Sequence, residues 1–209
     1  DLRKAFGDDN KKYVEHYISC GKSEGRDARN FIYHRIDDMG FASTTVDQMV
    51  KYFLANASYP TYYANNTNVT TIKEFCELYV SECTMEGINP AVAFCQAMKE
   101  TNFLKFTGDV KISQYNFAGL GAIGNGVVGL TFPNIQTGIR AHVQHLKAYA
   151  NSELLVNTCV DPRFQYVQRG SAMYVEWLGI QENPIPGCGW ASSPGYGSSI
   201  INDYMGKLS

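Results

Sequence analysis

Behind a Thr/Asp start, Val46, Met49, Val50 and Phe53 recur at three- and four-residue intervals, the spacing of one face of an α-helix. The period returns in Ile72, Phe75, Cys76, Tyr79 and Cys83, where Thr71 and Glu74 make a capping-box pattern and Gly87 supplies a stop. It appears again in NIQTGIRAHVQHLKAYAN, with Ile135, Ile139, Val143, Leu146 and Ala150 on one side. Between these lies NPAVAFCQAMKETNFLKF, residues 89–106, which departs from the pattern. Asn89 caps it, Pro90 takes the first position, and Ala91, Val92, Ala93, Phe94, Cys95, Ala97 and Met98 leave no polar side. A helix apolar all round is predicted to be central and buried, yet this one ends on Lys99, Glu100 and Thr101.

The other segments are less regular. Residues 1–28 predict a helix and a Gly turn, and ASYPTYYANNTNVT predicts a polar, aromatic loop. GDVKISQYNFAGLGAIGNGVVGLTF is rich in Gly and poor in helix formers, so short strands and turns are expected there. Short helices and loops follow to the end. The predicted class is α+β, mainly helical, with one small β-rich patch directly after the buried helix.

Composition narrows the function classes. With 209 residues, 44% of them apolar and 18% charged, the chain can build a packed core as one medium domain or one domain with an appendage. A net charge of -2 gives no electrostatic case for nucleic acid, so none is expected as a partner. No run of about 18 apolar residues is present, so no membrane insertion is expected. The start at DLRKAFGDDN, without Met or signal peptide, reads as that of a fragment. Fourteen Tyr and 11 Phe against two Trp suit either sugar-facing surfaces or half-buried core positions.

Six cysteines, Cys20, Cys76, Cys83, Cys95, Cys159 and Cys188, include no C-x-x-C pair, which argues against zinc-knuckle and thioredoxin readings. Cys76 and Cys83 lie two helical turns apart, too far to bond each other, and free thiols are expected. His142 and His145 stand three apart on one predicted helix without a neighbouring acidic or thiol ligand, so they read as packing residues; no metal or cofactor is expected. Asn56, Asn65 and Asn68 match the glycosylation-acceptor pattern and read as chance matches.

Glu100 carries the candidate chemistry. Desolvation at the end of a buried helix disfavours the charged carboxylate, and the negative end of the helix dipole acts in the same sense. A carboxyl group still protonated near neutral pH can give its proton to a leaving oxygen, as a glycosidase general acid does. The plain alternative is an exposed helix end paired with Lys99 or Lys105. The segment SQYNFAGLGA then offers Tyr115, Asn116 and Phe117, followed by Gly119 and Gly121, where backbone can approach a ligand closely. It also fits a tight turn with a packed Phe.

Together FCQAMKETNFLKFTGDV, QYNFAGLGA, GIRAHVQHLKAYA, DPRFQYV, RGSAMYVEWLG and GWASSPGYGSSI resemble the glucosaminidase domains of glycoside hydrolase family 73, bacterial enzymes that cut peptidoglycan. The resemblance spans residues 36–209, in order. Residues 1–35 resemble the tail of a short helical repeat found beside such domains in secreted Gram-positive proteins. The resemblance implies a lysozyme-like fold in which a central helix delivers the acid to a groove floored by a β-lobe. It implies Glu100 as the catalytic acid and Tyr196 as a required aromatic residue in the cleft. Tyr115, Asn116, Phe117 and Gly119 would form the groove floor, and Trp190 would line or support the site. Thr101-Asn102 stands where the family usually has Ser/Thr-Gly, a mild departure because Asn tolerates the left-handed conformation. The implied partner is the glycan strand of peptidoglycan. The implied enzyme is a monomer secreted to the bacterial wall, or else a phage lysin.

A second carboxylate is harder to place. Between Thr101 and Ala150 the only acid is Asp109. Either Asp109 or a more distant acid (Glu82, Glu86 or Glu153) supplies it, or the 2-acetamido group of the substrate serves instead. Loss of this acid also admits a wall-binding module with weak catalysis.

Overall fold

The computed structural model describes residues 12, 15, 16, 19, 20, 23, 33–39, 44–122 and 126–208. The helix and turn expected over 1–28 lie almost wholly outside the described residues, whereas the expected division at 35 falls within 33–39. Helix α1 spans Val46–Asn56 and α2 spans Thr61–Asn66. Helix α3 is Ile72–Glu86, α4 is Pro90–Thr101 and α5 is Ile135–Ala150. The anticipated signals operate as written. Thr71 and Glu74 close a reciprocal capping box, Gly87 ends α3 in the left-handed conformation, and Asn89 accepts from the Ala91 N–H ahead of Pro90.

Helix α3 packs against α1, α4 and α5, and α4 is enclosed on a further side by the C-terminal turns Ile200–Tyr204 and Met205–Lys207. Nine of the twelve residues of α4, Ala91 to Met98 and Thr101, are buried. That arrangement is what a helix without a polar face requires. Phe53, Tyr63, Phe75, Tyr79, Phe94 and Phe117 form the aromatic centre, with Phe75 and Phe117 at 5.1 Å between ring centres and Phe75 and Tyr79 at 5.3 Å. Segment 33–38 belongs to the same body: Ile36 is fully buried, and its carbonyl accepts from the Asn89 N–H at 2.8 Å.

Two local expectations are corrected. The predicted loop 57–70 contains α2, because the Tyr63 ring is buried and its hydroxyl donates to the Ile112 carbonyl at 3.0 Å. One aromatic anchor organises a helix that a polar composition conceals. The expected short strands after α4 do not form; the described residues of 107–132 hold one isolated bridge residue and a single 3-10 turn, Ile112–Gln114. Tyr115, Gly119, Gly121, Gly126 and Gly129 all have positive φ, which breaks an extended path repeatedly. Two side-chain amides take the place of a ladder. Gln114 Nε2 donates to the Val128 carbonyl at 2.8 Å, and Asn116 Nδ2 to the Leu120 and Leu130 carbonyls at 2.9 and 3.1 Å. The result is a looped lobe on a mainly helical body. It is braced from one side by α5, where a Cβ on Gly138 would overlap the Tyr115 carbonyl oxygen.

Candidate functional site

The last turn of α4 places Glu100 beside the lobe. Behind it the chain turns left-handed: Asn102, Phe103, Leu104 and Phe106 all have φ between 49° and 60°. Non-glycine residues adopt this conformation only under constraint. Here Thr101 supplies it, donating to the Ala97 carbonyl at 2.7 Å and accepting from the Leu104 N–H at 2.9 Å. Phe103 stacks on Tyr204 at 5.9 Å, and Phe106 packs on Tyr63 and Phe117. The α4 terminus is thereby fixed on both sides of Glu100.

Glu100 itself retains an exposed surface at the end of an otherwise largely buried helix. Its two oxygens see different surroundings. Oε1 accepts a short hydrogen bond from the Tyr196 hydroxyl, whose residue is only 4% exposed. Oε2 lies 3.6 Å from the point where Gly119 would carry a Cβ. Crowding by protein raises the carboxyl pKa, while the Tyr196 hydrogen bond and the charge of Lys99 act against that rise. Lys99 is not ion-paired to Glu100. Its Nζ donates to Ser199 Oγ at 3.0 Å and lies over the Tyr196 and Tyr204 rings, at 5.4 and 5.7 Å. Lys105 points elsewhere, to the Asn56 carbonyl at 3.3 Å.

Tyr196 opens a four-residue helical turn, Tyr196–Ser199, pressed into the body at Gly197. A Cβ on Gly197 would overlap the Val175 carbonyl oxygen. Glu182 holds the entry to this turn by accepting from the Gly195 N–H at 2.8 Å. Burial and the adjacent carboxylate push the Tyr196 hydroxyl pKa well up, so it stays protonated and donates.

The remaining sequence-predicted residues divide. Gly119 lies beside Glu100, whose Oε2 would be 3.6 Å from a Cβ placed there. Tyr115 is partly exposed and stacks on Tyr63 at 5.9 Å. Asn116 and Phe117, expected on the groove floor, are 1% and 0% exposed. They are corrected to supports beneath it: Asn116 ties the lobe together and Phe117 joins the aromatic core. Trp190 is half-buried against His142, His145 and Tyr149, at 5.8, 5.0 and 5.7 Å. Asp109 sits half-exposed in the turn after α4, and no hydrogen bond or ion pair among the described residues joins it to Glu100.

Of the other acids considered, Glu82 is held by Arg140 and Gln136, and Glu86 by Lys147 and the N–H groups of Val156 and Asn157. Both are buried away from any such role. Glu153 is exposed. His142 and His145, weighed above as metal ligands, contact Tyr79 and Gln96 in one case and Asp161 in the other, and the described residues contain no cluster suited to a metal.

Sequence reasoning passed over Gln96. It lies one turn before Glu100 on the same helix face, and its Nε2 donates to the Tyr196 hydroxyl at 3.0 Å. The available signal was a lone amide on a helix otherwise apolar.

The chain is 42% identical over 130 residues to an uncharacterized protein of Borreliella burgdorferi, a match covering 62% of this chain and 60% of that protein. It therefore spans about three fifths of that relative's length. No solved structure matches the chain. Residues 76–207, which include α4, the lobe and the Tyr196 turn, match the glucosaminidase family, described as mannosyl-glycoprotein endo-beta-N-acetylglucosaminidase, and the chain belongs to that family of glycoside hydrolases.

Proposed function

We propose that this chain hydrolyses peptidoglycan, cutting the β-1,4 bond on the reducing side of N-acetylglucosamine, with Glu100 as general acid. The observation that carries the reading is the asymmetric setting of the Glu100 carboxyl: one oxygen tied to buried Tyr196, the other open beside Gly119. A carboxyl with a raised pKa and one free oxygen suits proton delivery to a glycosidic oxygen.

The second group is the substrate's own. The acetamido oxygen forms a bond to the anomeric carbon while the glycosidic C–O bond breaks and the leaving oxygen takes the Glu100 proton. Water then opens the cyclic intermediate and returns a proton to Glu100. No second carboxylate contacts Glu100 among the described residues, which supports this route over a two-carboxylate one. Tyr196 serves Glu100 in this scheme; its buried hydroxyl is already engaged. Replacing Asp109 by Asn tests the route. Rates within about tenfold of wild type support substrate assistance, and a loss of several orders of magnitude replaces it with a two-carboxylate mechanism.

The substrate places the action at the bacterial wall, by secretion or as a phage lysin, and the enzyme acts as a monomer. The domain acting on the wall begins near residue 36. The rival reading is a wall-binding module. Turbidity loss of purified walls that vanishes in Glu100→Gln while wall binding persists favours hydrolysis. Mass spectrometry should find fragments ending in reducing N-acetylglucosamine; reducing N-acetylmuramic acid ends would make the chain a muramidase.

A further inference from the structure

Behind Glu100 four polar side chains run inward through the core. Tyr196 is 4% exposed, and Gln96, His142 and Tyr79 are fully buried. Gln96 Nε2 meets the Tyr196 hydroxyl at 3.0 Å, His142 Nε2 meets Gln96 Oε1 at 3.0 Å, and the Tyr79 hydroxyl meets His142 Nδ1 at 3.0 Å. A polar file of this kind in an aromatic core is unfavourable unless every member is satisfied.

The donors can be assigned by following the chain from one end. Tyr196 gives its proton to Glu100 Oε1, so its oxygen must accept from Gln96. That turns the Gln96 carbonyl toward His142, which requires the hydrogen on Nε2. His142 Nδ1 is then bare and accepts from Tyr79. Burial depresses the His142 pKa to about 3, with a smaller contribution from His145, so the neutral ring this pattern needs is the one present at neutral pH. We propose that Gln96, His142 and Tyr79 form a one-way chain of donors ending on Glu100 Oε1, which confines the acid's transferable proton to Oε2, on the Gly119 side.

The reverse polarity would have Glu100 donate inward to Tyr196, with its proton facing the core and lost to the substrate. Gln96, His142 and Tyr79 are thus positioning residues: they touch no sugar and act through Tyr196. Each donor also strengthens the next, so the chain stabilises the ionised carboxylate and opposes the desolvation that raises its pKa. The other charged or titratable groups nearby are Lys99 and Tyr204 at the Glu100 end, Tyr149 near Tyr196, His145 beside His142, and Cys76, Cys83 and Tyr63 around Tyr79.

The inference rests on Glu100 being the acid, and the test separates the two claims. The Glu100 carboxyl titration is followed by carbon NMR, assigned by its absence in Glu100→Gln, alongside the pH dependence of kcat/KM on wall fragments. Gln96→Leu should move the Glu100 midpoint and the alkaline limb upward by roughly 0.5 to 1 pH unit with little change in KM. Tyr79→Phe, which removes one oxygen and keeps the ring, should move both in the same direction by less. A midpoint that stays in place in either folded variant overturns the proposal. Should Gln96→Leu fail to fold, Tyr79→Phe decides alone. If the midpoint moves while the wild-type chain cuts no wall, the donor chain stands and the proposed hydrolysis falls.

Discussion

Glu100 is where pH enters. Its pKa is raised by crowding and held back by Tyr196 and Lys99. A reaction that needs the protonated acid is therefore complete below that pKa and is lost as pH rises through it. Tyr196→Phe removes one restraining hydrogen bond. The alkaline limb should move up by about 1 to 2 units, more than in Gln96→Leu, and kcat should fall because the carboxyl loses its anchor. A limb moving down would contradict this account; kcat/KM measured from acid to alkaline pH on solubilised glycan reads the direction. At this scale the sequence was informative where chemistry is local. A lone acid after an apolar helix marks itself, and Asn102 has the left-handed φ of 49° expected from its place beyond the helix end. Asn116 and Phe117 misled because their partners, Leu120, Leu130, Phe75 and Tyr63, are set by how the chain folds back, which a linear reading does not contain.

Between elements, α3 and α5 are joined by ions as well as by apolar packing. Glu86 and Lys147 are 1% and 2% exposed, with Lys147 Nζ 3.1 Å from Glu86 Oε2. Desolvation alone would raise the Glu86 pKa, but the Asn157 and Val156 N–H groups and Lys147 outweigh it and the net direction is down. The sign follows. This carboxylate stabilises the fold above its unfolded pKa, and the contribution is lost as pH falls through the lower folded value. Lys147→Met alone should cost about 3–5 kcal/mol in urea unfolding at neutral pH, because it strands a buried charge. The pair Glu86→Leu with Lys147→Met should cost less than Lys147→Met alone. These ion pairs were hidden in the sequence, since Lys147 occupies an amphipathic helix at a position any solvated lysine might take. Helix ends, by contrast, were legible to the residue because caps depend on neighbours only.

The whole molecule extends beyond the family-matched stretch. Residues 33–38 enter the core at Ile36, and the Val175 N–H donates to the His34 carbonyl at 2.8 Å. Glu176, adjacent to that contact, accepts from His34 Nδ1 at 2.8 Å. A chain begun at residue 44 should be less stable than one begun at residue 33 by about 2–4 kcal/mol, from the lost burial of Ile36 and stranded backbone groups, as thermal unfolding would show. The main architecture was readable from periodicity; the looped lobe was not, because amide side chains do the work of strands and leave no alternating pattern. One feature ties lobe and core together. Gly138 lets α5 rest directly on the Tyr115 carbonyl, and His142 stands one turn further along the same face. A helix is stiff over that distance, so a displacement of α5 from the lobe at Gly138 would also disturb the His142–Gln96 hydrogen bond one turn away, and the seating of the lobe and the setting of the Glu100 carboxyl are mechanically coupled.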